Sequence, residues 1–276
     1  MVTTARPVAP GIDVVTADIE IPGLGHLANN TFVLHGDEPV LVDTGSVVGR
    51  EEFMTELRTV IDPADLRWIW LTHTDFDHIG ALHQFLAENP QLRVITTFFG
   101  VGIMGLFDPL PMDRVNFVNA GETIMVGDRT LTAVKPPAFD NPITTGFHDS
   151  TSGALFSSDC FGALLPNLPE SAADLDAAEL RQGQVTWAAI DSVWLHKVDP
   201  ARFARDLDRI RRIEPTMVLS AHLAPAPGTM IDLLLASLEA VPPRSHSQHR
   251  TRRCSRRRLP TNGLQCRHPS RPRGSL

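Results

Sequence analysis

The chain has 276 residues, of which 42% are hydrophobic and 21% are charged, a composition typical of a globular protein with a sizeable core. It has neither an apolar stretch long enough to span a bilayer nor the basic and then apolar start of a signal peptide, so we expect a cytoplasmic protein without a membrane partner. The net charge of −7 is uneven: ten of the 25 basic residues and no acidic residue follow position 243, so the preceding part carries −17, which argues against nucleic-acid binding by the folded body.

Alternating and continuous apolar runs predict strands and covering helices in the first half of the chain. In chain order, strands are predicted at 13–20, 31–35 and 39–42, a helix at 48–61, a strand at 67–72, a helix at 79–88, a strand at 92–97 and a helix at 100–107. Asp43 directly follows the third of these strands, in the sequence VDTG. The segment 98–114 is a candidate wall for a substrate pocket.

The loop between strand 67–72 and helix 79–88 contains four potential metal ligands within six residues. They are His73, Asp75, Asp77 and His78, in the sequence HTDFDH. If the loop stays extended, positions 73, 75 and 77 point the same way and His78 turns in beside them. A polar cap for the following helix would use Asp77 but would not need both histidines. The pattern therefore favours a metal site.

The second half of the chain is predicted to begin with strands and to end with helices. The strands are at 115–118, 124–126, 131–134, 144–148 and 153–157, and the helices at 171–191, 200–212 and 228–240, with a further strand at 216–220. Strands followed by helices, twice in succession, indicate two sheet-and-helix halves that close face to face.

Three further metal-binding side chains lie in loops or just past predicted strands of this second half. Asp140 lies in the turn-rich sequence PPAFDNP, Asp159 follows strand 153–157, and His222 follows strand 216–220. Because strand ends can converge at one edge of a sheet, these donors can meet the first four. His148 could supply another imidazole, although a histidine in this position is more often only hydrogen-bonded.

These motifs resemble the metallo-β-lactamase superfamily, whose signature is H-x-H-x-D-H after a strand. The resemblance implies an αββα metallo-β-lactamase sandwich, with Asp43 as a carboxylate beside the metals. Within the superfamily the chain is most similar to the di-iron core of flavodiiron proteins and to single-domain oxygen-binding di-iron proteins, which also carry a carboxylate at the position of Asp75. The 61 residues that separate His78 from Asp140 and the 18 that separate Asp140 from Asp159 match the spacing in that branch, as does the block LFSSDCFG. The resemblance covers residues 12–238, within a domain placed at 1–243.

The resemblance implies a ligand set for two ions. It assigns His73, Asp75 and Asp140 to one ion and Asp77, His78 and His222 to the other, with Asp159 between them. The chain departs from the branch at two of these positions. Asp75 stands where the branch has a glutamate, whose side chain is about 1.5 Å longer, and Asp140 stands where it has a histidine.

The donor set indicates which metals fit. Two divalent ions would neutralise the four carboxylates, which would otherwise repel one another and hold protons. Oxygen-rich sites with imidazoles favour iron or manganese, although zinc also fits. Iron is the first expectation. The alternative to a pair is a single ion at Asp77, His78, His222 and Asp159, with the altered half of the site empty.

Three functions are consistent with such a site. The first is a di-iron protein that binds or reduces dioxygen; because we expect no flavin-binding domain in this chain, turnover would need a separate electron donor. The second is a metal-dependent hydrolase that cleaves an ester, thioester or phosphodiester in a small-molecule substrate. The third is a non-catalytic protein whose site is weakened at 75 and 140. The sequence leaves open whether the chain forms a homo-oligomer.

The last 33 residues, 244–276, differ in composition from the rest. They are rich in Arg, Ser, His and Pro and have few large apolar residues, so we predict that they are disordered. They are either a basic arm for anionic partners or the product of a shifted reading frame, and the second interpretation is favoured. Of the three cysteines, Cys254 and Cys266 lie in this tail, whereas Cys160 is expected to be a buried apolar residue.

Overall fold

The computed structural model describes residues 2–241, and the predicted disordered tail lies outside them. Within this range, thirteen strands form two sheets and six α-helices pack on them. The first sheet contains, in spatial order, β1 (Val2–Ala9), β2 (Ile12–Ile21), β3 (Gly25–Leu34), β4 (Val40–Val42), β5 (Trp68–Trp70), β6 (Arg93–Thr96) and β7 (Val115–Phe117). The second contains, in spatial order, β13 (Ala226–Pro227), β12 (Met217–Leu219), β11 (Ala154–Phe156), β10 (Gly146–Asp149), β9 (Arg129–Val134) and β8 (Thr123–Val126). The helices are α1 (Arg50–Leu57), α2 (Leu82–Glu88), α3 (Phe98–Met104), α4 (Ala177–Ile190), α5 (Pro200–Arg211) and α6 (Ile231–Glu239).

Strand residues that alternate between two apolar layers hold the sandwich together. In β4, Val40 and Val42 lie in the layer between the sheets, whereas Leu41 packs against α1 and α2. In β11, Phe156 lies between the sheets, whereas Leu155 packs against α4, α5 and α6. Helices α1–α3 therefore cover the outer face of the first sheet and α4–α6 the outer face of the second. The predicted αββα architecture is confirmed.

Parallel pairing brings the functional loops to one edge of the sandwich. β4 runs parallel to β5 in one sheet, and β11 runs parallel to β12 in the other, so each pair ends at a common edge. Hydrogen bonds join the loops within each sheet, from Thr44 N to His78 O and from Ala221 N to Ser158 O, both at 2.8 Å. The Ser158 hydroxyl also donates to Thr72 Oγ1 at 3.0 Å, which joins the two sheets at this edge.

The sequence pattern missed the first strand of the chain. β1 pairs antiparallel with β2, and its register shifts between Pro7 and Ala9. None of its residues is fully buried, because β1 is the edge strand of the first sheet. β1 is half-exposed and contains two threonines, an arginine and a proline, so its sequence lacks the regular apolar alternation that predicts a strand.

Two predicted helices are shorter than expected. The predicted helix 171–191 divides into a 3₁₀ turn at Ala172–Asp174 and α4, because Asp176 caps α4 through bonds from Ala178 N and Glu179 N. The predicted helix 48–61 is reduced to α1. Among residues 2–241, no helix is both long and apolar enough to cross a bilayer.

Candidate metal centre

The loop after β5, which carries four of the candidate metal ligands, is extended only in its first part. It turns at Phe76, where His78 N donates to Asp75 O at 2.9 Å, so the predicted alignment of positions 73, 75 and 77 is wrong. The turn places Asp75 and Asp77 in two different groups of neighbouring donor atoms. Helix α2 begins only at Leu82 and has no side-chain cap, so Asp77 does not serve as its N-cap.

A glycine allows this loop to pack against the loop after β4. Gly80 N donates to Gly45 O at 2.7 Å, and a Cβ atom at position 80 would lie 2.2 Å from Ser46 O. Any larger residue would force the two backbones apart. Gly80 therefore fixes the position of the metal-binding loop relative to Asp43.

Asp159 lies between the three histidines. Its Oδ1 atom is 3.2 Å from His78 Nε2 and 3.3 Å from His222 Nε2, and its Oδ2 atom is 3.2 Å from His73 Nε2. The Asp159 side chain is 3% exposed and each histidine 1–2%. One carboxylate therefore presents its two oxygens to two different groups of donors.

The first group, which we call the histidine half, consists of Asp77, His78 and His222, whose donor atoms lie within 4.8 Å of one another. Asp77 Oδ2 is 3.3 Å from His78 Nε2 and 3.4 Å from His222 Nε2. The Asn29 amide donates to the backbone carbonyl of Asp77 at 3.0 Å and to its carboxylate at 3.3 Å. A neutral amide thus holds Asp77 in place without competing with a cation.

The second group, the carboxylate half, consists of His73, Asp75 and Asp140, also with donor atoms within 4.8 Å of one another. His73 Nε2 is 4.0 Å from Asp140 Oδ1. The Asn141 amide donates to Asp75 Oδ1 at 3.3 Å. All seven predicted donors therefore meet at one edge of the sandwich.

Asp43 orients two of the three histidines. Its Oδ2 atom accepts from His78 Nδ1 at 2.8 Å and from the Thr72 hydroxyl at 2.8 Å. That hydroxyl lies 3.0 Å from His73 Nδ1. The third histidine, His222, donates from Nδ1 to Ala28 O at 2.7 Å. These contacts leave every Nε2 atom directed toward Asp159, and those of His73 and His78 are buried without a hydrogen-bond partner.

The charges of the cluster shift the pKa values of its members. Burial would lower the pKa of His222, but Asp159 and Asp77 outweigh it and raise the pKa to about 9. Burial likewise opposes charge on Asp159, yet the three imidazoles hold its pKa well below the usual range. In the carboxylate half, burial and Asp159 raise the pKa of Asp140 to about 7. In the absence of a metal, protons therefore supply the positive charge that the carboxylates require.

Two further residues contact the site, although nothing in the sequence around them indicated that they would. Trp187 in α4 donates from Nε1 to Asp159 O at 3.2 Å, and its ring lies 4.8 Å from that of His222. Asp191, after the same helix, has a carboxylate oxygen within 4.8 Å of those of Asp140 and Asp159. In the sequence, Asp191 only ends a predicted helix. His148 lies in β10 and belongs to none of the donor groups found among residues 2–241.

An open cleft of about 700 Å³ adjoins Asp75 and Asp77. Its walls are largely apolar and include Val48, Phe76 and Phe107, which are 70%, 70% and 54% exposed. Phe107 belongs to the segment 98–114, the predicted pocket wall. The cleft gives solvent and small molecules access to the donor cluster.

Comparison with known proteins adds a family match and several relatives. The model of a family described as "ODP family beta lactamase" matches residues 27–222. The anaerobic nitric oxide reductase flavorubredoxin of Salmonella typhi is 29% identical over 134 residues, which make up 48% of this chain and 28% of that protein. The match therefore spans less than a third of this relative.

Two solved structures share the fold at lower identity. Rubredoxin oxygen:oxidoreductase from Desulfovibrio gigas has a TM-score of 0.73 and 17% identity, with 86% of this chain and 61% of that chain covered. The flavodiiron protein from Giardia intestinalis has a TM-score of 0.74 and 18% identity, with 87% and 59% covered.

Proposed function

The chain belongs to the ODP family of beta lactamases, as its resemblance to the metallo-β-lactamase superfamily predicted, and on this premise we propose that it holds a dinuclear, iron-type centre that binds or reduces dioxygen. Relatives named as a nitric oxide reductase and an oxygen:oxidoreductase support a small diatomic ligand. Residues 2–241 fold entirely into the sandwich, so the proposal places the electron donor outside them.

The position of Asp159 carries this proposal. Its two oxygens face different histidines at nearly equal distances of 3.2–3.3 Å, an arrangement that would let this one carboxylate serve an ion in each half. The Nε2 atoms of His73 and His78 are the second support, because they are buried without a hydrogen-bond partner and a buried polar atom in that state is costly unless a ligand occupies it. The residues present therefore fit a pair of ions, one in each half of the cluster.

The chemistry of the donors favours iron. The three imidazoles and four carboxylates contain no thiolate, and such sites suit iron and manganese, with zinc as the main competitor. The four carboxylate charges equal those of two divalent ions, so binding would displace the protons held by the histidines. When bound, two ferrous ions supply redox equivalents and open coordination positions for a diatomic ligand.

The protein's own residues have three roles in this proposal. Asp43 and the Ala28 carbonyl fix the tautomers of His78 and His222, so that each presents Nε2 to the centre. Trp187 positions Asp159 by donating to its main-chain carbonyl, and Asn29 positions Asp77 by donating to both its main-chain carbonyl and its carboxylate. The apolar cleft gives a diatomic gas a path to the centre.

Reconstitution with ferrous iron tests the proposal. The full chain is stripped of metal, loaded anaerobically and examined by elemental analysis, and absorption spectra are then recorded after exposure to dioxygen and, separately, to nitric oxide. We expect about two irons per chain and a spectral change with dioxygen. If iron binds but the spectrum responds only to nitric oxide, the ligand is nitric oxide and the dioxygen part of the proposal is wrong. If no iron binds, the whole proposal is refuted.

The cleft supports a metal-dependent hydrolase as the second candidate. A volume of about 700 Å³ beside Asp75 and Asp77 accommodates a molecule far larger than dioxygen. Two ions can lower the pKa of a bound water and polarise an ester, thioester or phosphodiester. Zinc or manganese in the purified protein, no response to oxygen, and turnover of one of these substrate classes would favour this candidate over the first.

A further inference from the structure

Two loops of the second half of the chain are fastened together beside the carboxylate half. The Trp194 Nε1 atom donates to Phe139 O at 2.6 Å, and the two rings lie 4.8 Å apart. The Lys135 ammonium lies 3.7 Å from the centre of the Phe139 ring. Trp194 follows α4 and Phe139 precedes Asp140, so these contacts bring the end of α4 to the Asp140 loop. Asp191 is thereby placed beside Asp140.

The carboxylate of Asp191 lies at the C-terminal end of α4 without a lysine or arginine partner among residues 2–241. It is the C-cap residue of α4, and a carboxylate at the carboxyl end of a helix is disfavoured by the helix dipole. The Ser192 hydroxyl donates to its Oδ2 atom at 2.9 Å. Within residues 2–241, no lysine or arginine forms an ion pair with it. Oxygen atoms of Asp140 and Asp159 lie within 4.8 Å of it nonetheless.

A buried imidazole atom is directed toward two of these carboxylates, Asp140 and Asp159. His73 Nε2 lies 3.2 Å from Asp159 Oδ2 and 4.0 Å from Asp140 Oδ1, and it has no hydrogen-bond partner. The His73 side chain is 1% exposed. An unpartnered buried nitrogen beside Asp140 and Asp159, the two carboxylates that Asp191 also adjoins, indicates that a cation belongs between them, because carboxylates alone would repel one another.

We propose that Asp191 is a ligand of the ion bound by the carboxylate half. The inference rests on the proposed dinuclear centre and adds a donor that the family resemblance does not assign. With Asp191, this ion has one imidazole nitrogen and oxygens from four carboxylates: Asp75, Asp140, Asp159 and Asp191. A site with so many oxygen donors favours manganese or iron over softer ions. The histidine half, by contrast, contains two imidazoles.

Manganese binding provides a test that does not depend on activity. The stripped full chain is titrated with Mn²⁺, free ion is followed by electron paramagnetic resonance, and bound ion by elemental analysis. Asp191→Asn removes the charge but keeps the shape and can still accept the Ser192 hydrogen bond. Ser192→Ala is the matched control, because it removes that hydrogen bond and keeps the carboxylate. Thermal unfolding of each variant checks the fold, and Asp191→Ser replaces the asparagine variant if that variant is not folded.

We expect the wild type and Ser192→Ala to bind two Mn²⁺ ions alike. Asp191→Asn should bind the ion of the histidine half with unchanged affinity and the ion of the carboxylate half at least tenfold more weakly. A loss of about this size is expected when a residue of a metal site is replaced. Wild-type binding constants for both ions in Asp191→Asn would overturn the inference and leave the dinuclear centre standing. A wild type that binds one ion, unaffected by Asp191→Asn, would also overturn it. No binding by the wild type would refute the centre itself.

Discussion

The histidine half and the carboxylate half of the donor cluster differ in how their donors are held. In the histidine half, His78 donates to Asp43 at 2.8 Å and His222 to a main-chain carbonyl at 2.7 Å, so both rings are fixed within buried surroundings. In the carboxylate half, only His73 is buried to the same degree. The Asp75 carboxylate accepts a hydrogen bond from the Asn141 amide at 3.3 Å, and Asp140 Oδ1 lies 4.0 Å from His73 Nε2.

The two halves also differ in how closely they match the ligand set that the family resemblance implies. Asp75 and Asp140, the two positions at which the resemblance implies a departure, both lie in the carboxylate half. The Asp75 carboxylate accepts only one long hydrogen bond, whereas the rings of His78 and His222 are both held by short hydrogen bonds from Nδ1. The two halves should therefore bind metal with unequal strength.

The largest expected effect comes from removing a donor of the histidine half. His78→Ala should lower metal affinity by roughly 100-fold or more, because it removes a positioned ligand next to the bridging Asp159. Asp140→Ala should affect only the ion of the carboxylate half. Elemental analysis after dialysis against a weak chelator measures both.

His35→Ala is the control for this pair of variants, because His35 bonds to Asp13 and belongs to neither half of the cluster. Equal metal loss from His78→Ala and Asp140→Ala would contradict the inequality of the two halves.

The pH dependence of the metal-free protein is the next largest effect. His222 has its pKa raised from 6.5 to about 9, so its proton stabilises the fold fully below about pH 6.5, and this stabilisation is lost as the pH rises through 9. The raised pKa of Asp140, about 7, acts in the same direction. The shift at His222 corresponds to about 3 kcal/mol at most.

Melting temperatures of chelated and metal-loaded protein at pH 6 and pH 9 test this dependence. The chelated protein should melt at a lower temperature at pH 9, and the loaded protein should change much less, because metal replaces the protons. A metal-free protein that is more stable at pH 9 would show that the cluster does not hold protons as described.

Asp43→Asn should weaken metal binding by roughly 10–100-fold without replacing any donor. Asp43 has a φ of 61°, which asparagine also tolerates, so the backbone should stay in place. The amide cannot accept from His78 and Thr72 as the carboxylate does. Isothermal titration with Mn²⁺ measures the loss, and an unchanged affinity would remove Asp43 from the account.

Asp140→His should produce the smallest change, a gain of roughly tenfold in affinity for the ion of the carboxylate half. It returns the imidazole that the related branch has at this position and makes the two halves more alike. Competition with a coloured chelator gives the two binding constants. A loss of affinity would show that the loop around Asp140 suits only a carboxylate.

The sequence indicated all seven residues that cluster here, because each lies in a loop after a predicted strand or in a turn-rich loop; their role as metal ligands, which the family resemblance implies, stays a prediction. It could not predict Asp191, which is brought to the site by the contact between Phe139 and Trp194, residues far apart in the chain. The turn at Phe76 was missed because an apolar residue between two aspartates gives no turn signal. Local patterns find donors, and tertiary packing decides how they are grouped.

The fold was predicted for a different reason. Strands such as β4 and β11 are apolar on both faces, and each such strand is short and flanked by polar loops, which separates it from a helix. β1 has no buried residue and β13 has only two residues, so neither leaves an apolar pattern. Two of the four edge strands, β1 and β13, were thus missed, whereas the other two, β7 and β8, were predicted.

Anomalous diffraction at the iron edge, from crystals of ferrous-reconstituted protein, tests the central claim most directly. We expect two peaks, one on either side of Asp159: the first beside His73 and the second between His78 and His222. A single peak in the histidine half would mean that the carboxylate half is empty. No peak at Asp159 would contradict the metal centre altogether.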